Sequence, residues 1–297
     1  MDVLLSLVCG ALVAIMVQFS GELQMFLGPL AALLVLHIVG LFTATGYRRI
    51  FPDGGAPGFD PRQAPVWYLS AGILGIVVVL INMEVFVRGG ILLALAGTLS
   101  GQTLGAYIVE LTPWSRGGQS AWIQRAMVIA FIVPGSVLIG VQSGAEPVWI
   151  AAAFAPGFFL IVQSMFNSYN SSRWGHSRML QFNYVSALLV LLPLNLLRGS
   201  LDGEFMAQLG GIPVHVLLGG GVLGVAVVGT ITYLLKRTSP VKTFLGLYTG
   251  QLGIGVVLDA VQQQSVAPEK LFGVVLVAVG LIAGELRLSL RPRGQRL

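Results

Sequence analysis

Val3 to Phe19 and Leu27 to Tyr47 run for 17 and 21 residues without a single Asp, Glu, Lys or Arg. About 20 such residues, wound as a helix, span the roughly 30 Å hydrocarbon core of a bilayer. Further uncharged runs follow along the whole chain, and only 10% of the 297 residues are charged. A soluble domain carries about a quarter. The chain therefore reads as an all-α polytopic membrane protein. Its one cysteine, Cys9, sits inside the first run and excludes an internal disulfide. No basic segment or small-residue cleavage site precedes that run, so it reads as a retained helix.

Breakers and charged loops divide the sequence into ten spans: 3–21, 27–46, 65–87, 90–111, 120–142, 147–169, 177–197, 213–235, 240–262 and 268–287. Ten spans place the loops alternately on two sides. One side then collects 14 of the 17 Lys and Arg residues, and the other holds Arg88, Arg198 and Lys270. The positive-inside rule puts both termini in the cytoplasm, as in a bacterial-type inner membrane. The net charge of +5 is thereby explained by basic loops facing lipid headgroups, with no nucleic-acid partner implied.

Within these runs the same polar punctuation is written twice. Ser100-Gly101-Gln102 is followed by Glu110, and Thr249-Gly250-Gln251 by Asp259, always 149 positions apart. Alignment without a gap extends back to residues 71–79 against 220–228 and includes Gly72/Gly221, Gly75/Gly224 and Gly97/Gly246. A weaker match lays Val17-Gln18-x3-Glu22 over Val162-Gln163-x3-Asn167. Such a register points to duplication. Each copy, 1–145 and 146–297, holds five spans, an odd number, so the second must enter the membrane inverted. Inverted repeats place a transporter's substrate site near the midplane between the halves.

Several side chains are candidates for that site. Gln102 and Gln251 arrive near the midplane from opposite sides, and so does His37, a group that titrates near neutral pH. The preceding Gly97-x3-Gly101 and Gly246-x3-Gly250 also allow the glutamines to be plain helix contacts. Gln18 and Glu22, one helical turn apart, and likewise Gln163 and Asn167, form a stripe that fits a pore wall. Glu22, His37 and Glu84 are the candidates for proton coupling, although Glu84 has Arg88 one turn away as an ordinary ion-pair partner. Pro134, Pro156 and Pro193 should kink or interrupt their spans. The sequence contains no P-loop, no H-E-x-x-H and no Ser/His/Asp constellation, so no catalytic residue, metal or cofactor is assigned.

Five plus five inverted helices resemble the drug/metabolite transporter superfamily. Within it, G-A-L-V-A-I-M-V-Q-F-S-G-E-L at 10–23 and G-P-L-A-A-L-L-V-L-H-I-V-G at 28–40 resemble the YdcZ-type exporters, here as a fused pair. That family carries Gln-x3-Asn near the end of its first helix, where this chain has Glu22 in one copy and Asn167 in the other. The expectation is a secondary transporter of a small polar or cationic metabolite, an exporter by resemblance, working by alternating access. Its partners are that small molecule and membrane lipid, and it is a monomer or homodimer. An intramembrane lipid-modifying enzyme and a non-transporting scaffold or receptor subunit are the alternatives. The scaffold predicts that no cavity remains.

Overall fold

Gly28, with φ 73°, stops the first helix and lets the chain reverse into a second that begins on Pro29. Proline suits a first helical turn, where its fixed φ helps and its missing N–H costs nothing. The computed structural model describes residues 2–53, 70–110, 122–237, 240–263 and 267–289. The basic loop residues Arg62, Arg116, Arg291, Arg293 and Arg296 fall outside them.

Among the described residues lie eleven helices and no strand: α1 Asp2–Leu27, α2 Pro29–Ile50, α3 Ser70–Glu110, α4 Trp122–Gln142, α5 Pro147–Ala152, α6 Ala155–Trp174, α7 His176–Leu197, α8 Gly203–Gly211, α9 Val214–Arg237, α10 Pro240–Gln263 and α11 Pro268–Ser289. Six helical stretches among these residues are long and apolar enough to cross a membrane.

The 41 residues of α3 would reach roughly 60 Å as a straight helix, twice the hydrocarbon thickness. They fold back on themselves at Gly90, where φ is 77°. The Thr98 hydroxyl donates to Asn82 Oδ1 at 2.8 Å, although a straight helix would hold those residues about 24 Å apart. Two expected spans, 65–87 and 90–111, therefore meet as one hairpin. The span expected over 147–169 is divided in the other sense. It breaks between α5 and α6 just ahead of Pro156, which cannot supply a helical N–H. Pro134 and Pro193 lie inside α4 and α7. The segment 198–212, expected as a loop, contains α8, whose N-terminus is capped by Asp202 accepting from the Phe205 N–H at 3.0 Å.

The packing repeats itself. α1 lies along α10, and α6 along the second half of α3. A Cβ on Gly10 would meet Leu247 O and Gln251 N; one on Gly157 would meet Thr98 O and Gln102 N. A Cβ on Gly72 would meet Asn183 O, and one on Gly221 would meet Leu36 O. These matched contacts relate α1, α2 to α6, α7 at a spacing of 147, and the halves of α3 to α9, α10 at 149. The helix breaks agree, since Gly28 and Gly175 both have positive φ and both α2 and α7 have 22 residues. α2 and α7 run antiparallel: Asn195 near the end of α7 donates to Leu30 O near the start of α2, whereas Gln181 near the start of α7 donates to Thr45 near the end of α2.

The 147 spacing corrects the register expected for α1 and α6. Gln18 falls opposite Met165, and Gln163 opposite Met16, because the Val-Gln pair recurs at 145 while the fold repeats at 147. Two residues turn a helix by about 200°, so the slip exchanges one face for the other.

Candidate functional site

Where α1, α2, α3, α6, α7, α9 and α10 converge they enclose a cavity of ≈ 270 Å³. Close glycine contacts hold these helices together, and Gly72, Gly75, Gly220 and Gly224 are themselves part of the lining. Among the described residues no Asp, Glu, Lys or Arg lines it. Most of its wall surface is apolar, and six carboxamides and six hydroxyls stand among the described lining residues. That is the usual make-up of a small-molecule site.

Lining residues come largely in pairs at the spacings of the fold: Gly75 with Gly224, Thr98 with Leu247, Gln102 with Gln251, Met16 with Gln163, Ser20 with Asn167, and His37 with Tyr184. Five of the expected site residues are thus brought together, namely His37, Gln102, Gln163, Asn167 and Gln251. Asn183 donates to Asn167 Oδ1 at 2.8 Å, and Gln163 donates to Ala71 O at 2.9 Å. His37 Nδ1 lies 2.8 Å from Leu33 O. A carbonyl only accepts, so Nδ1 carries the proton and Nε2 is the acceptor of the neutral ring. The ring also stands edge-on to Tyr184. Gln102 Oε1 and Asn183 Oδ1 are buried acceptors without a protein partner.

Gln18, Glu22 and Glu84 do not line the cavity. The Gln18 amide donates to Glu22 Oε1 on the same helix. Glu84 accepts from Gln24 Nε2 at 2.7 Å and pairs with Arg88 at 3.9 Å, while Arg88 also covers the Trp149 ring at 5.2 Å. The glycines before the paired glutamines make the close helix contacts that their spacing allowed: a Cβ on Gly101 would meet Phe154 O, and one on Gly250 would meet Leu7 O. Gln102 and Gln251 reach the cavity from those same helices. Lining and gluing are therefore done by neighbouring residues.

Tyr184, Asn183, Asn82 and Thr98 were not singled out as site residues from the sequence, yet they line the cavity. The signal for the first two was the Gly28/Gly175 pair, which sets His37 opposite Tyr184 and Leu36 opposite Asn183.

The long apolar helices around a central cavity are those of an integral membrane protein. The chain belongs to the family described as "Putative inner membrane exporter, YdcZ", whose model matches residues 1–138 and 148–283. The starts of those segments are also 147 apart. Membership makes it a protein of the inner membrane, in an exporter family. None of the curated proteins matches this chain. A solved structure described only as "Crystal structure of protein" shares the fold, with a TM-score of 0.58, 13% identity and coverage of 95% of each chain.

Proposed function

We propose that this chain is a secondary transporter that carries a small uncharged molecule outward through the central cavity, by alternating access of two inverted five-helix halves, 1–145 and 146–297. In this reading the membrane is crossed ten times, with α3 supplying two crossings, and both termini lie in the cytoplasm. The observation that carries it is the paired lining. Each half contributes equivalent positions to one interior, and the equivalent helices α2 and α7 run antiparallel, as an inverted pair must. An interior of ≈ 270 Å³ speaks against the scaffold reading. The uncharged lining favours a neutral substrate over a cation. Of the three proton-coupling candidates only His37 reaches the cavity, so coupling, where present, passes through its imidazole.

The test is access from both sides. A cysteine replacing the lining residue Ser164, on a Cys9→Ser background, is exposed to a membrane-impermeant thiol reagent in right-side-out and in inverted vesicles. Labelling in both orientations is expected. Labelling from one side alone would overturn alternating access.

A further inference from the structure

The two sides of the cavity are chemically unlike. Of the six carboxamide side chains that line it among the described residues, five come from α3, α6 and α7: Asn82, Gln102, Gln163, Asn167 and Asn183. Those three helices pack on one another and form a continuous wall. Opposite them, α1, α9 and α10 also pack together and present Val13, Met16, Val227, Val228, Ile231 and Leu247. Ser20 and Thr232 on that side donate within their own helices, to Met16 O and Val228 O, each at 2.8 Å. Gln251 is the one carboxamide that the apolar wall carries.

Three donors of the polar wall are already committed. The Asn183 amide is bonded to Asn167, the Gln163 amide to Ala71 O, and the Thr98 hydroxyl to Asn82. Two acceptors of the wall, Gln102 Oε1 and Asn183 Oδ1, are buried and without a partner; Asn183 is only 9% exposed. A buried acceptor left without a hydrogen bond is costly, and a ligand N–H or O–H would recover that cost.

We infer that the substrate is a neutral amphiphile, with an amide-type or hydroxyl head that donates hydrogen bonds to Gln102 and Asn183 and an aliphatic side that lies on α1, α9 and α10. This assignment rests on the cavity being the substrate site proposed above. A volume of ≈ 270 Å³ falls at or below the small end of ordinary ligand sites and selects a short molecule over a two-chain lipid. Among the described lining residues an anion finds no cation, and a cation finds no carboxylate.

The probe is tritiated hexanamide, equilibrated with the full-length protein in lipid nanodiscs and corrected with empty nanodiscs. Competitors are N,N-dimethylhexanamide, which has lost the donors, acetamide, which has lost the tail, and hexylammonium, which adds charge. Hexanamide is expected to bind saturably and roughly tenfold tighter than each of the three, and Gln102→Leu/Asn183→Leu is expected to abolish the preference over the dimethyl amide. Equal displacement by the dimethyl amide, by acetamide or by hexylammonium overturns the inference, as does absence of saturable hexanamide binding. Because the ligand series is read on the unaltered protein, a variant that fails to fold does not blunt it. Selective binding together with labelling of the Ser164→Cys protein from one side alone would keep this inference and remove the transport reading.

Discussion

The His37 ring meets Tyr184 edge to face, centroids 5.8 Å apart and planes at 63°, where α2 and α7 cross. The two stand 147 positions apart and both line the cavity. Tyr184 is held there because Gly40 leaves room for it: a Cβ at that glycine would lie 2.1 Å from Tyr184 Cε1. A methyl group at that point displaces a buried, rigid ring. Gly40→Ala is therefore expected to cost roughly 1–3 kcal/mol of stability and to weaken hexanamide binding. Thermal unfolding in nanodiscs, with the binding assay beside it, checks this; an unchanged midpoint would show that the ring has room to retreat.

Gly101 and Gly250 should each resist any side chain. Their added Cβ atoms would lie 1.8 Å from Phe154 O and 2.0 Å from Leu7 O, and backbone carbonyls of packed helices do not swing aside. Gly101→Ala and Gly250→Ala are expected to lower the unfolding midpoint by an amount corresponding to at least about 1–3 kcal/mol. Gly253, on the same helix as Gly250, meets nothing within 4 Å. Its replacement by alanine should be neutral or stabilising by up to roughly 1 kcal/mol through helix propensity. The contrast between Gly250 and Gly253 separates packing from any general intolerance of substitution.

The apolar runs and the 149-residue repeat were legible because each polar residue inside a bilayer is costly and stands out against its surroundings. Gly97, Gly101, Gly246 and Gly250 announced close helix contacts by spacing alone. The register of α1 against α6 was not legible. A Val-Gln pair recurring at 145 outweighed the quieter Gly28/Gly175 pair at 147, and on a helix that difference moves Gln18 and Glu22 off the cavity wall. The break at Gly90 was legible, since one expected span ended at 87 and the next began at 90; α8 was not, because the nine residues from Gly203 to Gly211 are too short to stand out from a loop even with Asp202 as their local cap. The consequence for Glu22 can be measured: Glu22→Gln is expected to leave hexanamide affinity within about twofold, since the carboxylate accepts from Gln18 and does not line the cavity. A tenfold loss would return Glu22 to the binding site.

Asp259 and Lys270 form an ion pair at 3.4 Å with both side chains at most 2% exposed, joining α10 to α11. Removing one partner leaves a buried charge, at a cost of about 3–5 kcal/mol, whereas exchanging both for apolar groups is often close to neutral. Lys270→Met is expected to destabilise strongly, and Asp259→Leu/Lys270→Met to recover most of the loss. Unfolding midpoints of the single and double variants give the coupling directly. A double variant no better than the single would show that neither charge depends on the other.

Asp53 caps a helix far from it in sequence. Its carboxylate accepts from the Ser177 N–H at 3.0 Å, the Ser177 hydroxyl at 2.6 Å and the Arg178 N–H at 2.9 Å, at the start of α7. Partial burial works to raise its pKa, but the hydrogen bonds from Ser177, Arg178 and His176 outweigh that and hold the carboxyl below the ordinary Asp range. A depressed folded-state pKa contributes stability that is present above the unfolded value of about 3.9 and is lost as pH falls through the folded value. Asp53→Ala should therefore cost about 1 kcal/mol at neutral pH, the usual worth of an N-cap. The gap between its unfolding midpoint and that of the parent protein should stay constant down to about pH 4 and close below it. Using the gap removes the contribution of the other carboxylates, which titrate in both proteins. A gap unchanged at pH 3 would show that the neutral acid caps α7 as well as the carboxylate does.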